Sequence, residues 1–388
     1  MTQDSSTAPQ RTVEAVPPSR PLRIGVIGAG IMGSDHSRAI AGSTHGAVLE
    51  AVADIDLARA QALAAELGAP LAVADPLELI AADAVDAVVV ASHDSTHTAL
   101  VLAAIAAGKP VLCEKPLALD LDDCARIIVA EREAGRRLVS VGFSRRFDPA
   151  LVELKQALDA GEIGRPLLAH AVHRNVSSDP SGDSASTVLN SAIHELDQTP
   201  WLLSAPVAEV SWHAPASTSL LPQRQDPQLL LLRTADGALT TVEVFVNAVY
   251  GYDVKLEVVG ETGTLAIGAP TAVVRDTGLT RQSAYPADWR PRYAAAYRAE
   301  MQQWVDAVTR DHYEGSALAS AVDGYRATAV AHAVIAAMET GGRSVAVAYP
   351  HAEILNTREG AAECGPGSGS DSATTTTSQA TTAEGALR

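Results

Sequence analysis

The chain has 388 residues, enough for two domains of ordinary size. Its net charge of −17 excludes the basic footprint that nucleic acid or an anionic membrane surface requires, so neither is an expected partner. Hydrophobic residues make up 47% and aromatic ones only 4%, which implies an aliphatic core, and no run is long and apolar enough for a spanning helix.

Taken in chain order, residues 1–20 read as a disordered leader with no apolar signal core. From 21 to 143 the pattern alternates. Strand-like runs fall at Arg23–Ile27, Val48–Ala53, Ala87–Ala91, Pro110–Cys113 and Leu138–Val141. Ala-rich helical runs lie near 31–42, 56–67, 96–107 and 121–134. This order predicts a parallel sheet covered on both faces. A second region, 144–350, begins with a helix at 149–160. Strand-like segments follow near 166–175, 207–213, 228–235, 238–249, 252–259 and 263–267, interrupted by a helical run at 187–203. Helices at 293–310 and 318–340 close it. A large, mostly antiparallel open sheet is expected there. Residues 360–388, Gly-, Ser- and Thr-rich, read as a disordered tail. Cys113, Cys124 and Cys364 form neither a disulfide framework nor a zinc set, so a reduced cytoplasmic setting and no metal are expected.

Gly28-Ala29-Gly30-Ile31-Met32-Gly33 follows the first strand and opens a helix. In that context G-x-G-x-x-G is a dinucleotide fingerprint. The first glycine makes the tight turn, the second admits the pyrophosphate, and the third lets helix and strand approach. Asp54 ends the second strand. A carboxylate there accepts from ribose hydroxyls and repels a 2′-phosphate, which favours NAD over NADP. The competing reading of Asp54 is a helix cap. The first region is therefore expected to be a Rossmann domain.

Lys115 stands at the carboxyl end of the strand in Pro110-Val111-Leu112-Cys113-Glu114-Lys115-Pro116, where open α/β sheets bind ligands. Further on, Asn190, His194 and Asp197 recur at i, i+4 and i+7, one face of a helix. Such a stripe is more often a solvated face, but apolar Ile193, Leu196, Trp201 and Leu202 surround this one. His173 and Asn175 share a strand face by the period of two, as do Tyr250 and Tyr252. Imidazole, amide and phenol groups on one face suit a polyhydroxylated ligand.

These motifs together resemble the Gfo/Idh/MocA oxidoreductase family. The likeness rests on G-x-G-x-x-G, Glu114-Lys115-Pro116, Val141-Gly142-Phe143-Ser144-Arg145-Arg146-Phe147-Asp148, His173-Arg174-Asn175, Ile193-His194-Glu195-Leu196-Asp197 and Tyr250-Gly251-Tyr252-Asp253, and covers about 22–350. Within the family the chain is most similar to the inositol 2-dehydrogenase branch. The resemblance implies NAD-dependent oxidation of a cyclitol ring hydroxyl, with myo-inositol going to scyllo-inosose. The alternatives are the same fold acting on another sugar or cyclitol and a non-catalytic NAD-binding sensor. It also implies a catalytic group of Lys115, His194 and Asn190, the last standing where the family has Asp. The implied cofactor set is Gly28, Gly30, Ile31, Met32, Gly33, Asp54, Ser92, His97, Glu114 and Lys115. Substrate contacts fall on Arg145, His173, Asn175, Asn190, His194, Tyr250, Tyr252 and Tyr297. A homotetramer or homodimer is expected from the same resemblance.

Overall fold

The computed structural model describes residues 20–267 and 273–355. The expected leader and tail, with Cys364, lie outside the described residues except for Arg20, whose guanidinium pairs with Asp86.

The first half builds one parallel sheet. Its strands are β1 (Leu22–Ile27), β2 (Ala47–Ala53), β3 (Leu71–Val73), β4 (Ala87–Val90), β5 (Val111–Glu114) and β6 (Val139–Gly142), in the spatial order β3-β2-β1-β4-β5-β6. Helices α1 (Ile31–Ser43), α2 (Leu57–Leu67), α3 (Pro76–Ala81), α4 (His97–Ala106) and α5 (Leu121–Glu133) connect them. The strand order reverses between β1 and β4, so a crevice opens at their carboxyl ends. All four residues of β4, Ala87-Val88-Val89-Val90, are buried. A strand covered on both faces needs no polar alternation. Strand β3 and helix α3 were not anticipated. The strand is only three residues long, although Asp75 capping α3 with Pro76 at its first position is a readable helix start.

The second half contains α6 (Pro149–Asp159), β7 (Pro166–Arg174), a short helical turn α7 (Ser184–Thr187), a π-turn over 188–192, α8 (Ile193–Leu203) and β8 (Val207–His213). Strands β9 (Gln228–Thr234), β10 (Leu239–Phe245), β11 (Asp253–Gly260) and β12 (Thr264–Ala266) follow, then the exposed ribbon β13 (Arg275–Thr277) and β14 (Thr280–Gln282). Helices α9 (Trp289–Arg310) and α10 (Ala321–Glu339) and the edge strand β15 (Val345–Ala346) complete it. The seven-stranded sheet runs β12-β11-β7-β10-β9-β8-β15 and is antiparallel except for β7 beside β10.

Alternation along β7, β9 and β10 buries one face of this sheet and leaves the other open. Ala169, Ala171 and His173 are on the buried face of β7, which therefore carries a histidine toward the interior. Helix α10 packs against β8, α8 and α5, and α9 packs against α1. The Val141 N–H on β6 donates to the Ala319 carbonyl at 3.0 Å, which ties the lead-in to α10 onto the edge of the first sheet. These packings place α8 and α9 beside the carboxyl ends of β5 and β6.

Candidate active site

The glycine loop is tight for a steric reason. Gly28 has φ +102°, and a Cβ there would lie 2.5 Å from the Ala91 carbonyl oxygen. A Cβ on Gly33 would lie 1.8 Å from the Gly28 oxygen, so loop and helix can meet only without one. A Cβ on Gly30 would meet nothing within 4 Å, so the backbone there is approachable. Helix α1 begins at Ile31 with no side-chain cap and no acid in its first turn, which leaves its N–H groups and positive end to an anion. Asp54 accepts from the Ala29 N–H at 2.7 Å and from the Asp56 N–H at 2.9 Å. The cap of α2 is Asp56, not Asp54. Its carboxylate also pairs with Arg59 at 3.3 Å. The loop, the open helix end and the fixed Asp54 carboxylate fit a dinucleotide.

Behind the strand-end lysine stands a buried pair. Glu114 Oε1 contacts His36 Nε2 at 2.7 Å, and Glu114 Oε2 accepts the Lys115 N–H at 3.2 Å. Burial works against this carboxylate, but His36 and Lys115 keep it below its ordinary range. The Lys115–Pro116 peptide is cis. His97, an expected cofactor contact, is not among the residues that line the cleft. Its ring is fully buried, with Nδ1 2.7 Å from the Pro116 oxygen and Nε2 3.3 Å from the Ser92 oxygen. It braces the Lys115–Pro116 turn from beneath. Ser92, on the loop after β4, bonds the Thr96 hydroxyl at 2.6 Å.

The polar stripe is reorganised by the π-turn. The turn over 188–192 inserts between α7 and α8, so a regular helical wheel does not hold across it. Asn190 and His194 still line one cleft, but Asp197 does not. Arg146 takes Asp197 into a buried bidentate pair, with Nε donating at 2.9 Å. Lys115 Nζ donates to the Asn190 carbonyl oxygen at 3.0 Å. Asn190 thus holds the lysine through its backbone, which any residue type could do. His194 Nδ1 is buried without a partner among the described residues. Burial first, then cationic Arg145 and Lys115, push its imidazole well below the ordinary 6.5. The ring is therefore a neutral base at neutral pH.

A buried acid overlooked by the sequence reading completes the floor. Glu195 pairs with Arg145 through Oε1 and lies 3.0 Å from His173 Nδ1 through Oε2. His173 Nε2 lies 3.1 Å from Asn175 Oδ1. Burial alone would raise Glu195, yet Arg145 and His173 hold it down at about 2. Tyr252 sets its ring edge-on to His173 and to Tyr293, and the Arg145 guanidinium lies over Tyr293. Tyr297, from α9, stands edge-on to His36. Tyr250 does not join them. Val249 adopts φ +55° and the chain turns before β11, so the period of two fails. Tyr250 is exposed; its hydroxyl donates to Asp253 at 2.7 Å and accepts from Arg174 at 2.9 Å.

The result is a cleft of about 730 Å³ that runs from Ile31 and Met32 past Glu114, Lys115, Arg145, His173, Asn175, Asn190, His194, Tyr252 and Tyr297. Its lining also includes residues with no sequence signal: Ser144, Tyr293, Trp289, Arg224 and several residues between Ser177 and Thr187. Among the described residues no cluster of His, Cys, Asp or Glu is placed to hold a metal ion. No helix among them is long and apolar enough to cross a membrane.

One pH dependence follows. If neutral His194 takes a proton, activity is full above its pKa and lost below it. With that pKa pushed below 6.5, the acid limb of kcat/KM should fall with an apparent pKa under 6.5. A limb centred above 6.5 would exclude His194 in this environment as the base.

Comparison with known proteins agrees with this architecture. Residues 22–143 match the model of the oxidoreductase family with an NAD-binding Rossmann fold, and residues 151–266 match the GFO/IDH/MocA C-terminal domain. Inositol 2-dehydrogenase 1 of Saccharopolyspora erythraea is 49% identical over 82% of this chain and 95% of its own. Inositol 2-dehydrogenase 2 of Paenarthrobacter aurescens is 47% identical over 85% and 99%. Among solved structures, the myo-inositol dehydrogenase of Lactobacillus casei in complex with NAD(H) and myo-inositol superposes with a TM-score of 0.81. It shares 33% identity over 85% of this chain and 97% of that one. The chain belongs to the Gfo/Idh/MocA family and is an NAD-dependent oxidoreductase.

Proposed function

We propose that the chain oxidises a ring hydroxyl of a cyclitol, and that the physiological reaction takes myo-inositol to scyllo-inosose. The observation that carries this reading is that Lys115 and a neutral His194, with its buried Nδ1 unpartnered among the described residues, line one polar cleft with Ile31 and Met32 of the glycine loop. Bound NAD supplies the hydride acceptor. His194 removes the hydroxyl proton, and Lys115 donates a hydrogen bond to the same oxygen as negative charge develops on it. Arg145, His173, Asn175 and Tyr252 offer donors and acceptors around the ring, while Glu195 balances the charge of Arg145. The names of the relatives support the same substrate class.

Asn190, neutral where the family has Asp, favours a second reading, a different cyclitol or sugar on the same site. Initial rates with myo-inositol, scyllo-inositol, glucose and xylose, each with NAD and NADP, separate the two. Myo-inositol with NAD is expected to give the highest kcat/KM. A tenfold preference for any other substrate would overturn the assignment.

In this reading residues 21–143 hold the cofactor, and 144–350 hold the substrate and the contacts between copies. The open sheet face, with Leu168 and Leu229 each 39% exposed, would then pack against a second copy in a dimer or tetramer. A cytoplasmic location fits the two buried free thiols, Cys113 and Cys124.

A further inference from the structure

Two mostly irregular segments, one ending in the short helix α7, meet at the lining of the cleft. The segment 176–187 contributes Ser177, Ser178, Asp179, Ser181, Gly182 and Ser186 to the lining. It leads into the π-turn that carries Asn190. The segment 214–227 lies across it and is bonded to it repeatedly. Gln223 Nε2 donates to the Pro180 oxygen at 2.9 Å and the Gln225 N–H donates to Ser184 Oγ at 2.9 Å; from the start of β9, Gln228 Nε2 adds a bond to the Ser184 oxygen at 3.0 Å.

At the centre of this contact is Arg224, only 4% exposed yet part of the cleft lining. Its Nε donates to the Gly182 oxygen at 2.9 Å, Nη2 to the Asp179 oxygen at 2.7 Å, and Nη1 to Ser178 Oγ. All three acceptors are neutral. Two carboxylates stand near it: that of Asp179, which interacts with Arg224 electrostatically, and that of fully buried Asp226, reached through Asn247, whose Nδ2 donates to Ser178 Oγ at 3.1 Å and to Asp226 Oδ2 at 2.8 Å. The approach is close. A Cβ on Gly182 would lie 2.2 Å from Arg224 Nη2.

A guanidinium has five N–H donors. Three are used by the loop. The other two, one on each terminal nitrogen, belong to a buried cation that lines the cleft, and a buried donor left unpaired is costly. The natural partner is an oxygen of the ligand.

We propose that Arg224 is a specificity-determining residue: it holds 177–187 as the outer wall of the cleft and donates to ring hydroxyls remote from the reacting carbon. This rests on the reading of the chain as a polyol dehydrogenase. Fork geometry is essential to the role. A lysine keeps the charge but cannot serve three fixed acceptors and a ligand at once.

The test uses the full-length enzyme with NAD, comparing wild type with Arg224→Gln and Arg224→Lys. Both variants should raise KM for myo-inositol ~10-fold or more, the usual cost of leaving substrate hydroxyls and site donors unmatched. KM for NAD should stay within ~2-fold, and kcat should change less than KM. A purely structural lesion would move both KM values and kcat together. Mono-deoxy inositols then probe the donors themselves. At least one should lose ~10-fold in kcat/KM with wild type and lose almost nothing further with Arg224→Gln, because coupled groups are non-additive. Hydrogen exchange should quicken across 177–187 in both variants and stay unchanged in β1, β4 and β5. Unchanged KM for myo-inositol, or deoxy penalties equal in wild type and variant, would overturn the specificity role. Unchanged exchange would overturn the wall. If wild type oxidises no polyol at all, the parent reading fails, and hydrogen exchange, which needs no substrate, still decides whether Arg224 holds the wall.

Discussion

Lys115→Ala and His194→Ala should each lower kcat by about 10²–10⁴-fold, the span expected when a group that moves or holds the reacting proton is lost. The two losses should differ in kind. Without His194 no neutral base remains at the reacting hydroxyl, so the acid limb of the pH profile should disappear along with most of the rate. Without Lys115 the limb should persist, because His194 still titrates, while alkoxide stabilisation is gone. Lys115 hydrogen-bonds the Asn190 carbonyl and its charge helps hold the buried Glu114 carboxylate ionised, so its removal should also lower the melting temperature modestly. NAD titrations by fluorescence should show cofactor binding within a few-fold of wild type for His194→Ala. Near-wild-type turnover by either variant would remove this mechanism.

The second large effect belongs to Glu195. It is 1% exposed and is the shared partner of buried Arg145 and His173. Glu195→Ala strands a guanidinium in the interior and should destabilise the protein by about 3–5 kcal/mol, as breaking one side of a buried pair does. Glu195→Gln keeps the shape and one acceptor and should cost less. The pH dependence has a definite sign. Burial raises and Arg145 and His173 lower this carboxyl, and the net result is a folded pKa of about 2 against an ordinary 4.5. Its stabilisation is therefore fully present above 4.5 and is lost as pH falls from there toward 2. The difference in melting temperature between wild type and Glu195→Gln should be constant above pH 5.5 and shrink below 4.5. A difference that stays constant through that range would show that the charge of Glu195 contributes nothing.

Much of the fold was legible because its signals are local. Continuous apolar runs, a glycine fingerprint and Ala-rich periods mark a parallel sheet before any contact is known. Lys115 was legible for the same reason, as a charge at the end of a buried strand. Glu195 was not. A glutamate beside a histidine on a helix carries no mark of burial, and only the arrival of Arg145 from the β6 turn and His173 from β7 reveals its role. The helical stripe misled at Asp197, because Arg146 takes that carboxylate into a buried pair away from the cleft. Tyr250 misled because a positive φ at Val249 ends the strand that the alternation seemed to continue. The wall around Arg224 had no periodic signal at all. Its residues are mostly serine, aspartate, glycine and glutamine, largely in loops, held by long-range hydrogen bonds between 177–187 and 223–228.

The central claim is that this cleft moves a hydride from a cyclitol carbon while His194 takes the hydroxyl proton. Oxidation of myo-inositol deuterated at C2, run with NAD and followed by NMR, tests it most directly. The expected result is deuterium in the reduced nucleotide, a ketone at C2 of the ring, and loss of both signals in His194→Ala. Reduced nucleotide without deuterium, a ketone at another carbon, or the same product at the same rate from His194→Ala would contradict it.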